Sequence, residues 1–275
     1  MKSVRDSNRG RAAIWAWRMA PVCVGGAMML ALVSASAETF YGPPLLLHEG
    51  SARTYVVMDN GVPSEVGVEM DRAFTVAVPP QGAHGGVTMP DGRSTFEYVL
   101  DMPAENPTPF QHVTLDWNPH GHEPDGVYDK AHFDVHFYTI SLEERRAIHT
   151  DDPAFMDKAG RLPAPEFTPA GYINPGVPPV PMMGVHLVHA EAPELRAQDP
   201  KPFLQTLLYG AWDGRLIFIE PMVSMELLTG EPDIFLPVPV AERYEPQGYY
   251  PGAYSIRWDA SGAYYRIALN DLQWR

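Results

Sequence analysis

Twenty-nine of the 275 residues are proline. Each proline removes a backbone donor and fixes φ near −65°, so it ends helices and stays out of sheet interiors. Twenty-three glycines punctuate the chain further. Breakers this dense exclude long helices and favour short strands joined by turns. No G-X-Y period accompanies the prolines, so the chain is not collagen-like. A hydrophobic content of 45% excludes wholesale disorder and suffices for one sizeable core.

Between the breakers, β-branched and aromatic runs predict strands at Thr54–Met58, Phe74–Val78, Thr95–Leu100, His112–Trp117 and His132–Ile140. Phe203–Gly210 and Leu216–Ile219 flank Asp213-Gly214, a hairpin signal. Tyr254–Trp258 and Ala263–Leu269 flank a second turn, Asp259 to Gly262. Helix signals are few. Ser141-Leu142-Glu143-Glu144 is a capping box, opening a helix to about His149. Asp152–Ala159 and Ser224–Leu228 predict two more short helices, the second ended by Gly230. Seven prolines between Leu162 and Pro181 predict an extended stretch, either a long ordered loop over one domain or a linker. The fold class expected is mainly β: a single barrel or sandwich-like domain over 38–275, with a few short helices.

The first 37 residues carry a secretory signature. Lys2, Arg5, Arg9, Arg11 and Arg18 precede an uncharged, mostly apolar run from Met19 to Val33, and Ala35-Ser36-Ala37 is a small-x-small cleavage site. The run is short for a membrane span of about 20 residues, which favours cleavage over an anchor. A periplasmic or secreted protein with no stable membrane span is expected. The remainder holds 15 basic and 33 acidic residues, a net charge of −18 against −14 for the whole chain. That balance disfavours binding to nucleic acid or anionic lipid. The one cysteine, Cys23, leaves with the signal, which excludes disulfides, thiolate zinc sites and Cys–His catalysis. No G-x-S-x-G elbow or glycine-rich phosphate loop is present.

Eight of the ten histidines fall between His112 and His189. Without cysteine, imidazole and carboxylate are the ligands left for zinc. In His132-Phe133-Asp134-Val135-His136, the three polar residues share one face of a strand, and the outer two sit about 13 Å apart. A straight strand therefore does not bring His132 and His136 to one ion. Asp134 is shared with one of them, or a bulge intervenes, or the centre holds two ions. Phe133 after His132 excludes the H-E-x-x-H motif. His122 stands on a Gly/Pro turn, His186 opens an apolar strand, and Glu220 ends the run Leu216–Ile219. A carboxylate at the end of a buried strand needs a cation or hydrogen bonds. The candidate ligands are His122, His132, His136, His186, Asp134 and Glu220. Zinc is the expected ion. Met182, Met183, Met222 and Met225 bring in copper as the lesser alternative, against their use as core fillers.

Five segments together resemble an uncharacterised family of exported bacterial and archaeal proteins that carry a domain of unknown function: Gly121-His122-Glu123-Pro124, His132 to Tyr138, Met183-Gly184-Val185-His186, Tyr209 to Gly214, and Phe218 to Met222. The resemblance spans roughly residues 40 to 230 and implies a β-rich exported protein, in some cases oligomeric. His189 stands where the family pattern carries an acid, which leaves that position without an implied role. Val185 to His189 also resembles the segment supplying one zinc histidine in α-type carbonic anhydrases. The paired histidines which that family needs on a strand appear here as His120 and His122 on a turn.

Three functions remain open. An ion with a free position would make a hydrolase or lyase acting on a small molecule, with Glu123 or Glu220 as general base. A closed site would be structural or store metal. A non-catalytic envelope interaction protein or homo-oligomeric structural protein, its histidines structural, would use the aromatic-rich C-terminal hairpin, where cross-strand packing is the plainer reading. Mass measurement of the exported protein should give a chain beginning at Glu38. A chain beginning at Met1 would mean that the apolar run is retained.

Overall fold

A computed structural model describes residues 37–275, apart from 81, 82, 84, 90 and 91. The expected signal segment, save Ala37, lies outside the described residues.

Short strands follow one another with little helix between them. The order is Ala37–Tyr41 (β1), Leu45–Leu47 (β2), Gly50–Asp59 (β3), Val62–Asp71 (β4), Arg72–Ala77 (α1), Val87–Thr88 (β5), Ser94–Asp101 (β6), His112–Asn118 (β7) and His132–Tyr138 (β8). Leu142–Arg146 (α2) and Phe155–Gly160 (α3) precede Tyr172–Ile173 (β9), Val185–His189 (β10), Gln205–Trp212 (β11) and Arg215–Ser224 (β12). Met225–Thr229 (α4) leads to Asp233–Pro237 (β13), Tyr249–Tyr250 (β14), Ala253–Asp259 (β15), Tyr264–Asn270 (β16) and Gln273–Trp274 (β17).

These strands form two large antiparallel sheets. One runs β1-β3-β4-β16-β15-β13 with β2 beside β3, and the other runs β5-β6-β7-β8-β12-β11-β10-β9. Neither order returns to its first strand, so the architecture is sandwich-like and not a barrel. The hairpins fall where the turn residues put them. Trp212 pairs with Arg215 across Asp213-Gly214, and Asp259 pairs with Tyr264. Among the described residues no helix is long and apolar enough to cross a membrane.

One core joins the sheets. Val56, Val66, Val68, Ile256 and Ile267 from the first belong to the same buried cluster as Val113, Leu115, Phe133, Val135 and Phe137 from the second. On β8, period-two alternation sends Phe133, Val135 and Phe137 into this core and leaves His132, Asp134 and His136 on the opposite face. That face is covered as well, because every residue of β7 and β8 is buried. Aromatic pairing dominates the C-terminal hairpin, with Trp258 and Tyr265 rings 4.6 Å apart.

One expected strand is a helix. Residues Phe74–Val78 lie mostly in α1, because Asp71 ends β4 and its carboxylate accepts the Phe74 N–H at 2.7 Å. This cap turns the chain into a helical turn, and a five-residue apolar run carries no period strong enough to resist it. α2 has the expected capping box between Ser141 and Glu144, and α4 is capped by Ser224 and stopped at Gly230. α3 begins at Phe155, later than expected, since Asp152 binds the Ala154 N–H and the Lys158 ammonium ahead of it.

Phe137 is wholly buried between the sheets. Phe137→Ala should cost about 3–5 kcal/mol through lost burial and the cavity left behind. Urea unfolding of the variant against the parent measures it, and a loss under about 1 kcal/mol would mean that the sheets do not pack through this residue.

Candidate metal centre

The outer face of the eight-stranded sheet carries a buried polar array. In register, Asp116 on β7 faces Asp134 on β8, Thr114 faces His136, and Asn118 faces His132. On the other side of β8, Met222 faces Asp134 and Ser224 faces His132, which brings Glu220 beside His136. Leu208 pairs with Glu220, and His186 on β10 pairs with Gly210. Two carboxylates directly opposed in a dry interior repel each other unless positive charge compensates them.

His122, His132 and Asp134 form the first group, with ligand atoms within 4.8 Å of one another. His132 Nε2 lies 3.0 Å from Asp134 Oδ1, and His122 Nε2 lies 3.2 Å from Oδ2. Asn118 Nδ2 donates to Oδ2 at 2.7 Å. The far nitrogens are held by backbone: His132 Nδ1 donates to the Lys130 carbonyl at 2.6 Å, and His122 Nδ1 to the Glu123 carbonyl at 2.7 Å. Each Nε2 is thereby left for a proton or a metal ion. His122 reaches the sheet because Gly121 adopts φ +67°, and a Cβ there would sit 1.9 Å from the Tyr128 carbonyl oxygen.

His136, His186 and Glu220 form the second group, under the same 4.8 Å limit. His136 Nε2 is 3.4 Å from Glu220 Oε1, and His186 Nε2 is 3.6 Å from Oε2. His136 Nδ1 is 2.9 Å from Asp116 Oδ2, to which the Thr114 hydroxyl also donates at 3.0 Å. Carboxylate, imidazole and open Nε2 in line are the arrangement that orients a metal-binding histidine. Gly210 makes room here, since a Cβ would sit 2.0 Å from the Phe218 ring, which packs against both imidazoles.

Among the described residues, His132 Nε2, Asp134 Oδ1, His136 Nε2 and Glu220 Oε2 are buried without a hydrogen-bond partner. Unsatisfied buried polar atoms are expensive and rare. Here two fall in each group: His132 Nε2 and Asp134 Oδ1 lie 3.0 Å apart without hydrogen-bond geometry, while Glu220 turns Oε1 to His136 and Oε2 to His186. Zinc bound at 2.0–2.1 Å in a tetrahedron holds its ligand atoms about 3.4 Å apart, close to the separations above. These buried clusters can hold metal ions.

The titration of these groups follows from their burial and from one another. Burial opposes charge on Asp134, yet His132 and His122 hold its carboxyl well below the ordinary range. Burial also works against charge on His122 and His136. Asp134 overrides it at His122 and raises that imidazole to about 9. Glu220 and Asp116 do the same at His136, also to about 9. Burial pushes the Glu220 carboxyl up, with His136 pulling the other way. His186 is lowered to about 3 by burial and by His136 and His122, so it stays neutral and ready to bind.

Both groups open onto one pocket of about 120 Å³, lined by His122, Asp134, His136, His186 and Glu220. Pro175 and Pro178 of the proline-rich stretch form another part of its wall. All six expected ligands are thus placed, and His132 and His136 fall in different groups. Glu123 is exposed and borders the pocket. His120 and His189 are outside both groups, and His189 packs on the Tyr172 ring at 5.4 Å. Met183 lines the pocket, while Met222 packs with Tyr128, Val188, Phe203 and Leu208. Asp116, Thr114 and Asn118 were not expected. Their signal was the polar alternation along His112–Asn118, between Val113, Leu115 and Trp117.

No family model, no curated protein and no solved structure matches the chain. What the site does must therefore come from its geometry.

In the metal-free protein, His122 and His136 hold their protons up to about pH 9. A metal ion must displace them, so affinity should fall as pH drops from 9 towards 6. Calorimetric titration with zinc at pH 7, in two buffers of different ionisation enthalpy, should register about two to three protons released per chain, from the two imidazoles and the Glu220 carboxyl, which burial raises to about 8. No release would mean that both imidazoles are already neutral.

Proposed function

We propose that this is an exported, metal-dependent protein that holds two divalent ions, zinc by the chemistry of its ligands, on one pocket and uses them for hydrolase or lyase chemistry on a small molecule. Four buried ligand atoms without a hydrogen-bond partner, two in each group, carry the reading. Each group offers two imidazoles and one carboxylate. That set suits zinc and leaves a position open when three residues bind a four-coordinate ion. An ion so held supplies Lewis acidity and lowers the pKa of water at the open position.

The chain's own residues do the rest. Asp116 and the Lys130 and Glu123 carbonyls fix the imidazoles, and Asn118 fixes Asp134. Glu220 belongs to the second ligand group. That leaves Glu123, alone among the carboxylates lining the pocket, outside both groups and free for proton transfer. Export rests on the N-terminal signature and agrees with a centre that needs no thiolate.

Elemental analysis of untagged protein from the periplasm tests this. The wild type should carry two ions per chain, one for each group. His122→Ala and His186→Ala, whose side chains are about one-fifth exposed and so are tolerable to truncate, should each lose one ion, and the double variant both. No metal in the wild type, and no uptake of added zinc or copper, would leave the histidines structural and put the envelope interaction reading in front.

A further inference from the structure

The ligand atoms occupy one side of the pocket, and apolar side chains make up much of the rest. Leu208 pairs with Glu220 across β11 and β12, so the two share a face. Val188 is two residues from His186 on β10 and shares its face. Both line the pocket beside the second group, with Met183, and Pro175 and Pro178 contribute from the proline-rich stretch. Among the described residues no Lys or Arg lines the pocket. Beyond the ligand groups these walls therefore offer a bound molecule apolar contact and no guanidinium or ammonium.

Size sets a second limit. The space is about 120 Å³, whereas an engineered apolar cavity of about 150 Å³ is filled by benzene. Ions and the oxygens they bind take part of that room. Resting on the metal reading above, we propose that the pocket takes a small oxygen compound whose apolar body is no larger than a benzene ring. Its oxygen head lies at the two ligand groups and its body against Val188, Leu208 and Met183.

The probe is a set of alkyl and aryl hydroxamates with inorganic phosphate as comparison. Binding is measured by calorimetry on wild-type protein whose zinc content has been verified in the same sample. From acetohydroxamate to butyrohydroxamate, affinity should rise roughly tenfold, following about fourfold per buried methylene. Benzohydroxamate should bind at least as tightly. Octanohydroxamate should gain nothing beyond butyrohydroxamate, because the space for an apolar body is about 120 Å³ and the rest of the longer chain stays in water. Phosphate has no apolar body to bury and is held by the ions alone, so its affinity should be unchanged by Leu208→Trp. Leu208→Trp should abolish the gain from the longer body and leave zinc content unchanged. Full zinc with a flat series overturns the proposal while the metal reading stands. Absence of zinc overturns the metal reading itself, and this proposal with it.

Discussion

Three buried carboxylates on one sheet face set the terms for the rest of the molecule. Asp116, Asp134 and Glu220 are at most 4% exposed and sit on adjacent strands β7, β8 and β12. Removing such charge from water costs several kcal/mol per ion unless partners compensate it. The partners present are imidazoles, which are positive only while protonated. The array is therefore stable in two ways: with protons held up to about pH 9 on His122 and His136, or with cations in their place. The same interaction thus links folding, pH and metal occupancy.

The sandwich makes this array affordable. Phe133, Val135 and Phe137 anchor β8 in the core from one side, so the opposite face is held in register by packing and not by its own polar contacts. Neighbouring strands then deliver Asp116, Asn118 and Glu220 at fixed spacings. Only His122 comes from a turn, and a glycine in the left-handed region together with the backbone bond from His122 N to the Tyr128 carbonyl holds that turn. Ligands on strands are positioned more sharply than ligands on loops. The proline-rich stretch adds a wall with little conformational freedom to lose, because proline fixes φ.

A buried basic side chain shows the same economy away from the pocket. Arg145 from α2 is 1% exposed, pairs with Glu97 on β6 and lies 4.9 Å over the Tyr138 ring. The His112 ring stacks on the other neighbour, Tyr138, at 4.8 Å, and burial and Arg145 lower it to about 4. His112 thus behaves as a neutral aromatic in the packing. Its membership of the histidine-rich window reflects strand position and not ligation.

Much of this was legible in the residues. The density of prolines and glycines, the Asp213-Gly214 turn and the alternation in His132–Tyr138 were enough for a mainly β fold with the right hairpins, because turn chemistry and period-two patterning are local properties. Three of the six ligand candidates, His132, Asp134 and His136, were legible for the same reason: a buried strand that alternates imidazole and carboxylate with phenylalanine must account for its polar face. The spacing of His132 and His136, about 13 Å along a strand, already opposed a single ion. Which residues share an ion was not legible, since it depends on the register between strands far apart in the chain. Tertiary structure paired Asp134 with His122 and His132, and Glu220 with His136 and His186. It also supplied Asp116 and Asn118, turned Phe74–Val78 into a helix through the Asp71 cap, and left the sheets open where a barrel was equally compatible with the pattern. Local sequence determines which faces are polar and where the chain turns. Only long-range pairing decides which polar side chains meet.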